Sequence, residues 1–158
     1  MTAALLACPR ADAQVIGAHF IHVPASDGRR ASLGLQGEIG AIVSTRYLDL
    51  WPSLAIEYQR EDGQGPGRGR VAAELRLLPG LGEHSLHPYF GGSISANQSG
   101  GDRSEWPGAL LGLQAMAGIM VVPSERVPIA FLLEERVGYV REINHATATH
   151  LGFLFSFH

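Results

Sequence analysis

Histidine is the residue type in this chain best suited to metal binding or catalysis, and the sequence contains seven of them. His19 and His22 lie three residues apart in a segment with strand character, so their side chains point to opposite faces and cannot hold one ion. His84 and His87 flank the junction between a turn and a strand, but no acidic or thiol ligand lies beside them. We therefore expect no metal site and no cofactor.

Nucleophilic catalysis requires a hydroxyl or thiol that is activated by a neighbouring base. The nearest approach to such a set is Glu142, His145 and Thr147, which lie around the start of the last strand-like segment. Ser93 and Ser95 have no obvious base. A polar cluster beside a loop explains these residues more simply, so we predict no catalytic residue and keep a hydrolase as an alternative.

A set of glutamate and arginine residues is more informative, because charged residues make up only 17% of the chain, against about 25% in ordinary soluble domains. Buried charges persist when they are paired. If these side chains face the inside of a barrel, they predict a satisfied polar network. Its expected members are Glu38, Glu57, Arg70, Glu74, Arg76, Gln114, Glu134 and Arg136.

Eight segments with strand character would position these side chains, and seven turn-rich breaks separate them. Most breaks contain the Gly, Pro, Asp, Asn or Ser residues that turns favour. The segments are approximately Gln14–Val23, Ala31–Val43, Leu48–Arg60, Arg68–Leu78, Leu86–Asn97, Ala109–Val122, Val127–Val140 and His145–Phe157.

Alternation within the segments is the main evidence for strands, since successive side chains point to opposite faces. In the fourth segment Val71, Ala73, Leu75 and Leu77 oppose Arg70, Ala72, Glu74 and Arg76. A soluble sandwich shows the same pattern, and so does a lipocalin-like barrel that binds a small apolar ligand inside. Alternation alone therefore does not decide whether the protein is soluble or lies in a membrane.

Segment length and loop length favour lipid. Segments of roughly 10–14 residues match the ~9–11 that cross a bilayer at a tilt and exceed the ~5–6 of soluble strands. Loops alternate in length when the first strand is taken to run outward, as in outer-membrane barrels. The longer loops, expected on the outside, are Pro24–Arg30, Glu61–Gly67 and Gln98–Gly108.

The uncharged run Gly108–Val122 also allows a helical hypothesis. As a helix its fifteen residues would span only ~22 Å, which is short of the ~30 Å hydrocarbon core. Its small and polar residues also alternate with apolar ones, so we interpret it as a strand with an unusually apolar inner face.

Three segments carry a resemblance to known proteins: His87–Gly92, with Pro-Tyr-Phe-Gly-Gly; Phe131–Tyr139, which is similar to an aliphatic–Glu–x–Arg–aromatic penultimate strand; and Leu151–Phe157, with alternating aromatics. The chain resembles the small bacterial outer-membrane β-barrel superfamily of OmpA- and OmpX-type domains. The resemblance implies an all-β fold: an eight-stranded antiparallel up-and-down transmembrane β-barrel. It also implies that the outer-membrane assembly machinery reads Phe153, Phe155 and Phe157.

The chain departs from this pattern at its last residue and at Glu135. The family usually ends on the aromatic residue itself, whereas this chain adds His158. Glu135 falls on the apolar face, where a carboxylate in the bilayer is costly, and a register shift or bulge near Glu134–Glu135 would resolve this. The His-x-Ser-Asn run of lipid A deacylases is absent, because the chain reads His-Ala-Thr-Ala from His145. A lipid-modifying enzyme therefore stays the alternative to a non-enzymatic barrel.

The ends and the charge of the chain complete the prediction. Residues 1–13 contain a short apolar run and a small-x-small site, which indicates the remnant of a secretory signal peptide, with the barrel domain over 14–158. A net charge of −3 disfavours nucleic acid as a partner. We expect a Gram-negative outer-membrane barrel that contacts lipid and the assembly machinery and meets extracellular ligands at its outer loops. Its lumen would be filled, because eight strands leave room only for side chains.

Overall fold

The computed structural model describes residues 13–25, 31–45, 47–61, 67–79, 85–98, 110–123, 127–140 and 143–157. They form eight strands, and no helix long and apolar enough to cross a membrane occurs among them. The predicted signal segment 1–13, apart from Ala13, and most of the predicted outer loops lie outside these residues. The strands are β1 Ala13–Val23, β2 Ser32–Ser44, β3 Asp49–Glu61, β4 Arg68–Leu78, β5 Leu86–Gln98, β6 Leu110–Val121, β7 Ile129–Val140 and β8 Ile143–Phe157.

All eight strands join in one closed antiparallel barrel. Each strand pairs with its neighbour in sequence, and β1 closes the sheet by pairing with β8. The run Gly108–Val122 contributes strand β6, not a helix. This confirms the predicted eight-stranded up-and-down barrel.

The strands are staggered around the barrel. Starting at Leu50 and following paired residues once around the sheet leads to Arg60, further along the same strand β3. A closed sheet with this stagger requires strands that are tilted from the barrel axis. The tilt places residues from distant parts of the sequence at the same height inside the lumen.

The apolar face of the sheet points outward. Large aliphatic side chains on different strands are more than half exposed, for example Leu35 at 66%, Ile56 at 69% and Leu111 at 69%. A soluble lipocalin-like barrel needs the opposite orientation, with the apolar residues inside around the ligand. The outward face instead suits contact with lipid acyl chains.

One end of the lumen is filled by apolar side chains. A buried cluster lies near the barrel end that carries the connections at 45–48, 79–85 and 122–128, and Trp51 at its centre is fully buried. Trp51 and Tyr89 pack edge to face with ring centroids 6.2 Å apart. The cluster consists of Val15, Trp51, Leu78, Tyr89, Met120, Leu132 and Leu154.

The suggested bulge at Glu134–Glu135 is wrong. The pairing of β7 with β8 is regular from Ile129 to Gly138, and the register shift lies between Gly138 and Val140. Glu134 therefore faces the lumen while Glu135 stays on the outer surface, where it accepts a hydrogen bond from the Thr149 hydroxyl at 2.7 Å.

The closed, lipid-facing barrel predicts heat-modifiable mobility. Folded protein in detergent resists SDS at room temperature because all strand edges are paired. We expect unboiled and boiled samples to run as different bands on an SDS gel, with a β-type circular dichroism spectrum before boiling. A water-soluble protein with one band under both conditions would contradict the lipid-facing orientation.

Candidate functional site

The charged residues that the sequence singled out lie together in the middle of the lumen. They project inward from β2, β3, β4 and β7 because they share the inward parity of their strands. Each of the seven is less than a tenth exposed. The residues are Glu38, Glu57, Arg70, Glu74, Arg76, Glu134 and Arg136.

Arg76 contacts three carboxylates at once. Its Nη1 lies 3.1 Å from Glu38 Oε2, its Nη2 lies 2.9 Å from Glu74 Oε2, and its Nε lies 2.8 Å from Glu134 Oε2. The guanidinium also stacks over Trp51, with 4.3 Å from its central carbon to the ring centroid. Arg76 thus connects the ion pairs to the apolar cluster below, and a cation over an indole face adds a further attraction.

Glu74 is the carboxylate that all three arginines share. Arg136 donates to it from Nη2 to Oε2 at 3.1 Å and also bonds Glu134. Arg70 lies 3.4 Å from Glu74 and donates to Glu57 Oε2 at 2.7 Å. Hydrogen bonds between ionised partners are stronger than neutral ones, so the cluster ties β2, β3, β4 and β7 together across the lumen.

Gln114 lies at the margin of this network rather than in it. Its side chain is only partly buried, and its Oε1 accepts a hydrogen bond from the Ser93 hydroxyl at 3.4 Å. Ser93 in turn accepts one from Arg70 at 3.0 Å. The two serines considered as nucleophiles, Ser93 and Ser95, are both buried in the lumen.

Two histidines in the lumen, His19 and His150, are not among the predicted members of the polar network. His19 Nε2 lies 3.4 Å from Glu38 Oε1, and the His19 and His150 rings meet edge to face at 6.1 Å. Gly152 makes room for this pair, since a Cβ at that position would lie 2.5 Å from His19 Nδ1. Strand parity is the signal that places both residues inside, together with Trp51 and Ser53.

The arrangement is suited to holding the barrel together. Four carboxylates and three guanidinium groups are packed with their charges in direct contact, and the Ser53 hydroxyl oxygen accepts a further hydrogen bond from Arg76 Nη1 at 3.2 Å. In the part of the chain that the structure describes, no group of three or more His, Cys, Asp or Glu side chains is arranged to hold a metal ion.

The structure describes only some of the other residues that were weighed for chemistry. His87 is buried in the lumen, Thr147 is exposed on the outer surface, and His84 and Glu142 lie outside the described residues. His145 lies in β8, where the structure describes the backbone. The three phenylalanines Phe153, Phe155 and Phe157 point outward from β8 and are 39–54% exposed.

Removing Arg76 tests whether the network stabilises the barrel. Arg76→Gln leaves Glu38, Glu74 and Glu134 sharing fewer cations, and breaking a buried pair costs about 3–5 kcal/mol. We expect a loss of that size in the free energy of unfolding, measured by urea titration in lipid vesicles. Adding Glu134→Gln should recover part of the loss.

Arg60→Gln is the matched control, because Arg60 is exposed near the end of β3. Its effect should stay within about 0.5 kcal/mol, as for most surface substitutions. Equal effects of Arg76→Gln and Arg60→Gln would contradict a stabilising role for the network.

No protein family matches the chain as a whole or in part, and no curated protein is detectably related to it in sequence. Solved structures do match the fold. The N-terminal β-barrel domain of Pseudomonas aeruginosa OprF superposes with a TM-score of 0.65 at 17% identity, over 93% of this chain and 98% of that one. Neisserial surface protein A gives a TM-score of 0.59 at 15% identity, over 92% and 96%.

The outer membrane enzyme PagL also matches, with a TM-score of 0.56 at 11% identity over 89% of this chain and 98% of that one. Each match covers nearly the whole of both chains. At such low sequence identity, it shows only that the fold is shared. The comparison confirms the resemblance that the sequence indicated: this chain has the fold of the small eight-stranded bacterial outer-membrane barrels.

Proposed function

We propose that this protein is a non-enzymatic outer-membrane barrel with a structural or surface-interaction role, which it performs through its extracellular loops. The filled lumen is the observation that carries the proposal. Trp51 and its neighbours occupy one end of the lumen, and the Glu74-centred ion pairs occupy the middle. An eight-stranded barrel packed in this way leaves no wide aqueous path for solutes.

The outward apolar face supports the location in the membrane. A soluble protein rarely exposes so many large aliphatic and aromatic side chains in one continuous surface. The solved structures with this fold include outer-membrane barrel proteins, which supports the same location for this chain. With its apolar cluster on the periplasmic side, the barrel presents Pro24–Arg30, Glu61–Gly67 and Gln98–Gly108 to the outside.

Proteins with this fold differ in activity, since one is described as a surface protein and another as an enzyme. Function in such barrels therefore depends on the loops and rims rather than on the shared sheet. In this chain Ser93 and Ser95 are buried in the lumen, away from lipid. This favours interaction over lipid-directed catalysis.

Loop replacement tests the proposal. Bacteria producing a variant with the three outer loops replaced by short Asn-Gly turns should adhere to cultured epithelial cells no better than bacteria lacking the protein. The control variant replaces the opposite connection, 79–85, and should adhere like wild type. Both variants must keep the heat-modifiable band, and neither should raise the conductance of a planar bilayer.

Two results would overturn the proposal. The first is stepwise conductance of the wild-type protein, which would indicate an open pore. The second is acyl release from lipid A or phospholipid, detected by product analysis and abolished by His145→Ala, which would make the protein a lipid-modifying enzyme. Unchanged adhesion of the loop variant would likewise remove the interaction role.

The aromatic last strand leads to a separate prediction about assembly. We propose that the outer-membrane assembly machinery recognises the outward phenylalanines of β8. Phe157→Ala should reduce the amount of folded protein in the outer membrane of cells while leaving refolding in detergent unchanged. Phe131→Ala is the matched control, since Phe131 is an outward phenylalanine of similar exposure on β7. Equal losses for both variants would contradict recognition of β8.

A further inference from the structure

Rows of paired residues climb around the barrel, because the strands are tilted. The row that starts at Leu50 takes eight strand-to-strand steps to reach Arg60, ten residues further along β3. Each step therefore rises by about 1.25 residues, and each residue of a tilted strand adds about 2.5 Å of height. One turn of the row thus climbs about 25 Å, which is the height of the apolar band on outer-membrane barrels.

On one side of the barrel this band is apolar along its whole height. The outward positions of β4 and β6 carry only aliphatic residues and glycine, so lipid chains can cover both strands from end to end. These positions are Leu77, Leu75, Ala73, Val71 and Gly69 on β4, and Val121, Ile119, Ala117, Ala115, Leu113 and Leu111 on β6.

On β8 the band is shorter. The outward residues are apolar from Phe157 to Leu151, and Thr149 and Thr147 occupy the next two outward positions. Thr149 is five of the eight steps above Leu50. The apolar part of β8 therefore ends near the middle of the band.

Polar residues extend from β8 onto both neighbouring strands. Thr149 is paired with Glu135 of β7 and with His22 of β1, which are four and six steps above Leu50. Both side chains are exposed. We call Glu135, Thr147, Thr149 and His22 the β8 patch. It begins at mid-height and extends towards the outer end of the barrel.

Glu135 requires hydrogen-bond donors that this surface does not supply. An ionised carboxylate has about four acceptor sites, and the Thr149 hydroxyl donates to one oxygen at 2.7 Å. The outward neighbours Ala117, Leu133 and Val137 have no donor in their side chains. Acyl chains have no donor either. Charged groups at membrane depth are commonly reached by water through local thinning of the bilayer, and an apolar surface that is too short also thins it.

We propose that the outer surface of the bilayer dips over the β8 patch, so that lipid headgroups and their water contact Glu135, Thr149 and His22. Over β4 and β6 the hydrocarbon keeps its full height. Thr147 extends the patch towards the outer rim, so headgroups can descend along β8. The inference rests on the proposed membrane location and orientation of the barrel.

Two valines at one height test the dip. Val137 lies beside the patch on β7, and Val71 lies on β4, with exposures of 48% and 55%. The rows place both about seven residues of rise above Leu50. In a Cys8→Ser background, Val137→Cys and Val71→Cys are each labelled with a nitroxide and reconstituted in phosphatidylcholine vesicles. Electron paramagnetic resonance then measures collisions of the label with a water-soluble nickel chelate and with oxygen, which concentrates in hydrocarbon.

The ratio of nickel to oxygen collisions should be several-fold higher for Val137→Cys than for Val71→Cys. Equal ratios would overturn the proposal. The Val71→Cys label also reports the membrane location, since it should favour oxygen if the band lies in hydrocarbon. Oxygen preference at both positions, with the heat-modifiable band retained, would refute the dip alone. Nickel preference at both positions would refute the location as well.

Removing the polar side chains tests the cause. Combining Glu135→Leu, Thr149→Val and His22→Leu makes most of the patch apolar and should lower the Val137→Cys ratio to that of Val71→Cys. Glu135→Leu alone is a milder variant and should lower the ratio part of the way. Gln14→Leu is the control, because Gln14 is an exposed polar residue at the opposite end of β1, and it should leave the ratio unchanged. An unchanged ratio in the Glu135→Leu variants would show that the patch does not cause a dip.

Discussion

Hydrogen bonding of the backbone in lipid is the constraint on which the rest of this structure depends. No water reaches the hydrocarbon core, so each N–H and C=O group of a spanning sheet must pair within the sheet. The pairing of β1 with β8 meets this requirement by removing both sheet edges. Closure with eight strands then fixes a narrow interior, which side chains must fill. The apolar cluster around Trp51 fills one end of this interior, and the ion pairs around Glu74 fill its middle.

The stagger of the closed sheet decides which charges meet. Arg76 and Glu134 lie on β4 and β7, far apart in sequence, yet their side chains are 2.8 Å apart. The tilt of the strands brings them to one height, where Glu74 contacts Arg70, Arg76 and Arg136. Burying a network of charges costs desolvation free energy, and removing one partner leaves a buried charge unpaired, which is also costly. The network therefore favours the observed strand register over registers shifted by one or more residues.

Alternation in the sequence was sufficient to predict the strands and their faces. The predicted strand over Arg68–Leu78 coincides with β4, and every other predicted strand lies within two residues of its observed bounds. Alternation along each strand could not predict which charged residues pair, because the pairing of Glu38 with Arg76, for example, depends on the stagger of the strands. It also did not assign His19 and His150 to the lumen network, although parity places both in the lumen; His19 was considered only as a metal ligand.

The same parity explains why Glu135 remains on the outer surface. A bulge between Glu134 and Glu135 would turn Glu135 inward, but it would also exchange the inward and outward faces of β7 for the residues that follow. Arg136 would then face lipid, where an arginine at the midplane costs about 2–4 kcal/mol and a carboxylate costs less, and Glu74 would lose a partner. Keeping the lumen network intact therefore outweighs the cost of one exposed carboxylate, which Thr149 partly offsets. The register shift occurs only beyond Gly138, after the last charged lumen residue of β7.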